Sequence, residues 1–214
     1  MLHSRFDGRN AYNPVRGVER PVEPKPSAND VPLDHILRVF DAFEERVLRW
    51  NRGWKTLARF RVLAATGMRH SQVMRLRPED IRLDESPPCI SVRQPGKEGR
   101  PHWKPLTAEG VKALREFIDA KAFGRFSAQS IRKSWILACE TAGVPYFNPY
   151  RLRHTFATTL RRHGLDLADV QELLGHTSAE TTKRYARPSQ EKLTRAVTAL
   201  DKAWKAAKEK VSSS

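Results

Sequence analysis

Three short stretches of this 214-residue sequence carry side chains suited to phosphate chemistry. In Ala65-Thr66-Gly67-Met68-Arg69-His70-Ser71-Gln72, a glycine break precedes an arginine that opens a helix. A helix N-terminus and a guanidinium together can hold a phosphate, although an arginine so placed is also an ordinary solvated residue. In Pro149-Tyr150-Arg151-Leu152-Arg153-His154-Thr155-Phe156-Ala157-Thr158, Arg153 follows Leu152 at the edge of an apolar stripe. An arginine near a core must be paired or face a cleft, so it either meets a buried carboxylate or serves an anion. The third stretch runs from Leu173-Leu174-Gly175-His176 to Tyr185. Gly175 ends a helix, His176 sits in the turn, and Tyr185 lies nine residues on. Alone, that histidine reads as a capping residue and that tyrosine as core. The three stretches in one chain, in this order, are far more specific than any one of them.

The elements that must position these residues are mainly helical. Leu33, Ile36, Leu37, Phe40, Phe43 and Val47 mark one helical face, which Asn51-Arg52-Gly53 breaks. Leu57, Phe60, Leu63 and Ala64 mark a second helix ending near Thr66-Gly67, and a short third is expected between Met68 and Pro78. Residues 81–106 change period: Ile81–Leu83, Cys89–Arg93 and His102–Leu106 alternate, with turn chemistry at Pro95–Gly99. They predict a small antiparallel sheet of three strands with a tight turn near Lys97. Further helices are marked by Val111, Leu114, Phe117 and Ile118; by Ile131, Trp135, Ala138 and Cys139; by Leu152, Phe156 and Leu160; and by Leu167, Val170, Leu173 and Leu174. After Pro188, Leu193, Val197, Leu200 and Trp204 predict an amphipathic C-terminal helix, with Ser212-Ser213-Ser214 outside ordered structure.

Composition restricts what this scaffold can be. Hydrophobic residues make up 39% of the chain, enough for a globular core. Thirty-nine lysines and arginines against 24 acidic residues give +15 and a pI of about 10.3. The excess is +1 over residues 1–30, +11 over 31–187 and +3 over 188–214, so it belongs to the folded body and not to a tail. A basic globular domain most often binds nucleic acid. No apolar run reaches the ~18 residues of a membrane span. The opening MLHSRFDGRN has no secretory apolar core, and Cys89 and Cys139 make no disulfide scaffold, so a reducing, cytoplasmic setting is expected.

Together the three stretches resemble the tyrosine recombinase (phage integrase) family. Thr66-Gly67-Met68-Arg69 is similar to the family's Thr-Gly-x-Arg helix start. Tyr150 to Thr158 is similar to its His-x-Leu-Arg-His-Thr-Phe-Ala-Thr run, and Leu173 to Tyr185 to its Leu-Leu-Gly-His box with the following tyrosine. The resemblance covers roughly residues 31–187. It implies an α+β catalytic domain that cuts one DNA strand with a tyrosine, forming a 3′-phosphotyrosine and a free 5′-hydroxyl, and then rejoins strands without ATP, metal or other cofactor. Tyr185 is the implied nucleophile, and Arg69 and Arg153 the implied clamp on the phosphate oxygens. His176 is implied as a further donor or proton handler. Lys97 in the strand turn is the implied general acid, with Lys104 as the fallback. His70, His102, His154 and His163 show no zinc-ligand spacing with cysteine, and no metal is expected.

Two positions depart from the pattern. Tyr150 stands where the family has its first histidine; a phenol can hydrogen-bond a phosphate oxygen, but its pKa of about 10 makes it a poor proton shuttle. Gln72 stands where an acidic residue is usual and cannot form a charged pair with Arg69. The family's N-terminal DNA-clamping domain has no counterpart in residues 1–30, which read as a Pro-rich flexible segment and linker. A catalytic domain on its own, monomeric when isolated, is therefore expected, with double-stranded DNA as partner and a tetramer expected for a full-length recombinase on DNA. The C-terminal stripe has two possible homes, a neighbouring subunit or its own domain. A non-catalytic DNA-binding module and a type IB topoisomerase are the alternatives.

Overall fold

The computed structural model describes residues 30–91, 103–174 and 190–213. Eight α-helices occur among them: α1 (Leu33–Trp50), α2 (Trp54–Thr66), α3 (His70–Val73), α4 (Ala108–Asp119), α5 (Ala128–Thr141), α6 (Arg151–Arg162), α7 (Leu167–Leu173) and α8 (Gln190–Ser212). Strands β1 (Ile81–Arg82), β2 (Cys89–Ser91) and β3 (Trp103–Pro105) form one antiparallel sheet in that order. The architecture is mainly α with a small sheet, as the hydrophobic periods imply.

The chain folds around α2. Leu57, Phe60, Val62 and Leu63 are buried, and so are Ala58, Ala64 and Ala65, so no side of this helix is left wholly to solvent. Such a helix must be covered all round, and α1, α4 and α6 pack against it. Its one buried charge, Arg59, donates from Nε to the Ala122 carbonyl at 2.9 Å and lies 4.4 Å from the centre of the Phe126 ring. Trp135 of α5 is fully buried, with its ring 4.4 Å from Phe60 and 5.2 Å from Phe147. Its indole donates to the Phe147 carbonyl at 2.9 Å, which satisfies the only polar atom of that side chain.

The turn between α1 and α2 is made by Asn51 (φ 45°) and Gly53 (φ 102°), both left-handed, at the break expected there. The short third helix lies between Met68 and Pro78 as expected, and Pro78–Asp80 forms a separate 3₁₀ turn stapled by the Asp80 carboxylate on the Arg77 N–H. Other positions differ from the sequence expectation. Ile118 and Leu167 were assigned to buried stripes but are exposed, each at a helix end where the stripe runs off the core. Ser212 was expected outside ordered structure and is the last residue of α8.

The described part of the C-terminal stripe packs on its own chain. Leu200 and Trp204 are buried in the common core, and Ala207 and Val211 pack on it. The Asp201 carboxylate accepts from the first two N–H groups of α4, at 2.8 Å from Ala108 and 3.2 Å from Glu109. Lys208, about two turns further along α8, pairs with Glu109. An anion at a helix N-terminus is the favourable sign for the macrodipole, so the contact fixes α8 against α4 both by hydrogen bonding and by charge.

Candidate active site

The C-terminal end of α2 delivers Arg69. Gly67 closes α2 with φ 64°, and its N–H bonds back to the Leu63 carbonyl at 3.0 Å. Glycine is required there twice over. A Cβ would meet Phe156 Cδ1 at 2.5 Å and Leu174 Cδ2 at 2.8 Å, and a left-handed φ disfavours any side chain. Two residues later Arg69 is the N-cap of α3 with extended backbone, half-buried. Gln72, buried, accepts the Arg69 N–H on Oε1 at 2.8 Å, while the Gln72 N–H bonds the Arg69 carbonyl at 2.9 Å. This half of a capping box needs a side-chain oxygen and not a charge. The departure at position 72 therefore leaves the backbone of Arg69 firmly held.

Helix α6 delivers Tyr150 and Arg153. Its apolar face, Leu152, Phe156 and Leu160, is buried, and Arg153 lies about 100° round from Leu152 at the rim of that face. The Arg153 side chain is only 5% exposed. Its Nη1 donates to the Gly67 carbonyl and its Nη2 to the Leu174 carbonyl, the latter at 2.9 Å. Of the two sequence readings, a buried carboxylate partner or an anion site, the first fails: these partners are backbone carbonyls. Burial pushes the Arg153 guanidinium down to about 10, the Arg69 charge pushes the same way, and only Tyr150 opposes them. A guanidinium has five N–H donors, and the two carbonyls use two of them. At neutral pH Arg153 is a protonated, desolvated cation beside a second cation, a state that an anion relieves.

Tyr150 is the N-cap of α6, held by its N–H on Asn148 Oδ1 at 2.9 Å, and is 46% exposed. Its ring meets His154 edge-on at 5.1 Å, one helical turn along. Arg69, Tyr150 and Arg153 thus act on one electrostatic neighbourhood, from three places in sequence. Lys97, His176 and Tyr185 lie outside the described residues.

Lys104, the fallback general acid, is described and has another role. It is 6% exposed, pairs across the sheet with Ile90, and donates from Nζ to the Leu173 carbonyl. Cross-strand partners share a face, so a lysine opposite a core isoleucine points inward. Sequence reading did not give Lys104, Gln72 or the Gly67 contacts their places. The alternation of Trp103-Lys104-Pro105 carried part of the signal for Lys104, but only the register shows that its inward partner is Ile90.

A cavity of about 290 Å³ between α1, α2, α4 and α8, lined among others by Asp41, Arg61 and Trp204, contains none of Arg69, Lys104, Tyr150 and Arg153. Among the described residues no helix is long and apolar enough to cross a membrane.

Comparison with known proteins bears on the family and the fold. The Phage integrase family model matches residues 34–192. The tyrosine recombinase XerC of Pelobacter propionicus is 31% identical over 157 residues, covering 67% of this chain and 51% of that protein. XerC of Proteus mirabilis is 30% identical over 194 residues, covering 83% and 61%. The chain spans about half to three-fifths of the length of such relatives. Among solved structures, the XerA recombinase superposes with a TM-score of 0.56 at 28% identity, covering 79% of this chain and 64% of that one. The integrase from mycobacterium phage Brujita gives 0.58 at 23% identity, covering 91% and 65%, a likeness of fold. The fold built around α2 is that of a recombinase catalytic domain, and the chain belongs to the phage integrase (tyrosine recombinase) family.

Proposed function

We propose that this chain is the catalytic domain of a site-specific DNA recombinase that breaks and rejoins strands through a 3′-phosphotyrosine. The observation that carries the proposal is Arg153, buried, protonated at neutral pH, bonded to carbonyls and not to a carboxylate, and pressed by the charge of Arg69. Such a pair is suited to the non-bridging oxygens of a phosphodiester, whose negative charge grows in the transition state. The +15 charge suits a polyanionic duplex.

In the proposed reaction, the Tyr185 oxygen attacks the scissile phosphorus as its proton leaves, with His176 near the phosphate as donor or proton handler. The bond from phosphorus to the 5′-oxygen breaks, and Lys97 gives that oxygen a proton. Attack by a second 5′-hydroxyl reverses each step, releasing the tyrosine. One ester replaces another throughout, so the bond energy is conserved. Tyr150, exposed beside Arg153, donates its phenolic O–H to a phosphate oxygen in place of an imidazole. The covalent chain supports His176 as a member: two residues past Leu174 its Cα lies within ~7 Å of the carbon that carries the Arg153-bound carbonyl. The catalytic unit comprises residues 31–187 together with α8, whose Leu200 and Trp204 complete its core. Double-stranded DNA is the partner, and self-association occurs on it. The Xer relatives suggest a bacterial or phage-encoded protein of the cytoplasm.

The test is covalent trapping. Incubation with a nicked suicide substrate should give a denaturant-resistant DNA adduct that Tyr185→Phe abolishes. An adduct that survives in Tyr185→Phe overturns the nucleophile. Failure to form one on a substrate carrying the cognate core site, despite DNA binding, shows a binding module.

A further inference from the structure

The turn that joins α1 to α2 carries an apolar and cationic patch that strand transfer does not use. Among the described residues eight large apolar side chains are exposed, and Leu48, Trp50 and Trp54 supply three of them within seven residues. Arg46, Arg49, Arg52 and Lys55 interleave with them, and no acidic residue occurs from 46 to 55. The Arg49 guanidinium lies 5.4 Å from the centre of the Trp50 ring. Exposed indoles forgo the burial that folding would give them, so a cluster of them marks an interaction surface. Trp54 also stands in the wall of a groove of about 800 Å³, together with Arg52, Lys55, Arg59 and Asp119. Arg59 is buried and donates to the Ala122 carbonyl, which leaves Arg52 and Lys55 as the exposed cations of the groove.

We propose that this turn and groove dock an acidic segment of a partner protein, one that carries apolar side chains among its carboxylates. Charge complementarity sets the sign: four cations with no acid between them call for an anionic occupant. Gly53 gives α2 no side-chain cap and the first turn holds no acid, so the helix end adds to the same potential. The residue types suit a protein, since tryptophan and arginine are the side chains that anchor protein interfaces. Position separates this surface from the DNA proposed at Arg69. Trp54 opens α2 and Thr66 ends it, so the two ends lie roughly 18 Å apart. Asp119 in the groove wall distinguishes a peptide from a nucleic acid. A peptide backbone has N–H groups to donate to that carboxylate, whereas a phosphate backbone has a charge at each nucleotide and no such donors. A membrane surface would leave the concave part of the groove unfilled.

The experiment pans a phage-displayed library of short random peptides on the whole chain and measures a selected peptide, fluorescently labelled, by anisotropy. Enriched sequences should combine aspartate or glutamate with leucine, phenylalanine or tryptophan. Trp54→Ala and Arg52→Glu should each weaken the selected peptide about 10-fold or more, as loss of an interface anchor does. Added salt should weaken binding to the wild type. Arg52 and Trp50 are exposed, so Arg52→Glu and Trp50→Ala decide the matter if Trp54→Ala does not fold. Failure to enrich any peptide, enrichment of sequences without acidic residues, or equal affinity in the wild type and all three variants overturns the proposal. A mixed-sequence single-stranded oligonucleotide and vesicles of phosphatidylserine are titrated in parallel. Binding of either that these substitutions abolish, with peptide binding intact, overturns it too and assigns the patch to nucleic acid or to lipid.

Discussion

Arg153 and Gly67 are 86 residues apart in sequence and are joined by a hydrogen bond from the guanidinium to the glycine carbonyl. The bond ties the end of α2, which presents Arg69, to α6, which presents Tyr150 and Arg153. It makes the two arginines one unit: a shift of either helix moves both cations relative to a bound phosphate.

Gly67 is the least replaceable residue of that unit. Gly67→Ala places a methyl 2.5 Å from Phe156 and 2.8 Å from Leu174 and imposes a side chain at φ 64°. Strain and overpacking together should cost about 2–4 kcal/mol, read as a lower midpoint in urea unfolding with an unchanged slope. Adduct formation should fall further than stability alone accounts for, measured well below the unfolding midpoint.

The two arginines should trade stability for function in opposite ways. Burial holds the folded Arg153 guanidinium at about 10, below its value in the unfolded chain. The charged form is thus less favourable in the fold, and the penalty is complete below about pH 10 and relieved as pH rises above it. Burial is the first cause and Arg69 the second, so Arg69→Gln should remove part of the penalty at neutral pH. It should raise Tm by about 1–3 °C while abolishing adduct formation. Arg153→Gln should instead lower stability by about 2–4 kcal/mol, because the Gly67 and Leu174 carbonyls lose their donor. Thermal melts of both variants at pH 7.5 check the pair, and a lower Tm in Arg69→Gln refutes the like-charge account.

His70 gives the fold an acid-sensitive point beside Arg69. Its ring packs edge-on against Phe126 at 6.1 Å, Nδ1 is buried without a hydrogen-bond partner, and burial lowers its pKa below 6.5. The imidazole is then neutral in the fold and protonates more readily in the unfolded chain. Its contribution is complete above about pH 6.5 and is lost as pH falls below that value. The Tm of the wild type should therefore fall more steeply between pH 7 and pH 5 than that of His70→Phe. Parallel slopes would show that some other group governs acid sensitivity.

Asp201 should control how firmly α8 is seated. Asp201→Ala removes the acceptor for the Ala108 and Glu109 N–H groups and should cost about 0.5–2 kcal/mol, as loss of an N-terminal cap does. Limited proteolysis should then cut preferentially near residue 190. Asp201→Asn, which keeps one acceptor oxygen, should be intermediate.

Much of this molecule is determined by its sequence alone, because the determining interactions are local. The helical period from Leu33 to Val47 reports a buried face whichever neighbour covers it, and Asn51 and Gly53 end that helix because their backbone tolerates φ above zero. The alternation at residues 81–82, 89–91 and 103–105 reports a sheet in the same way. The side-chain chemistry of Arg69, Tyr150 and Arg153 is likewise legible, since residue type and spacing carry it. Tertiary structure alone decided what those side chains meet. Nothing in the sequence distinguishes a carboxylate from two carbonyls as the partner of Arg153, and the carbonyls come from Gly67 and Leu174. Register put Lys104 opposite Ile90 and turned a candidate acid into a buried donor to α7. The amphipathic stripe of α8 announced that it would be buried, and only the docking of Asp201 on α4 showed where. Local backbone preference and apolar periodicity act within a few residues, whereas burial of a charge depends on groups brought together from across the chain.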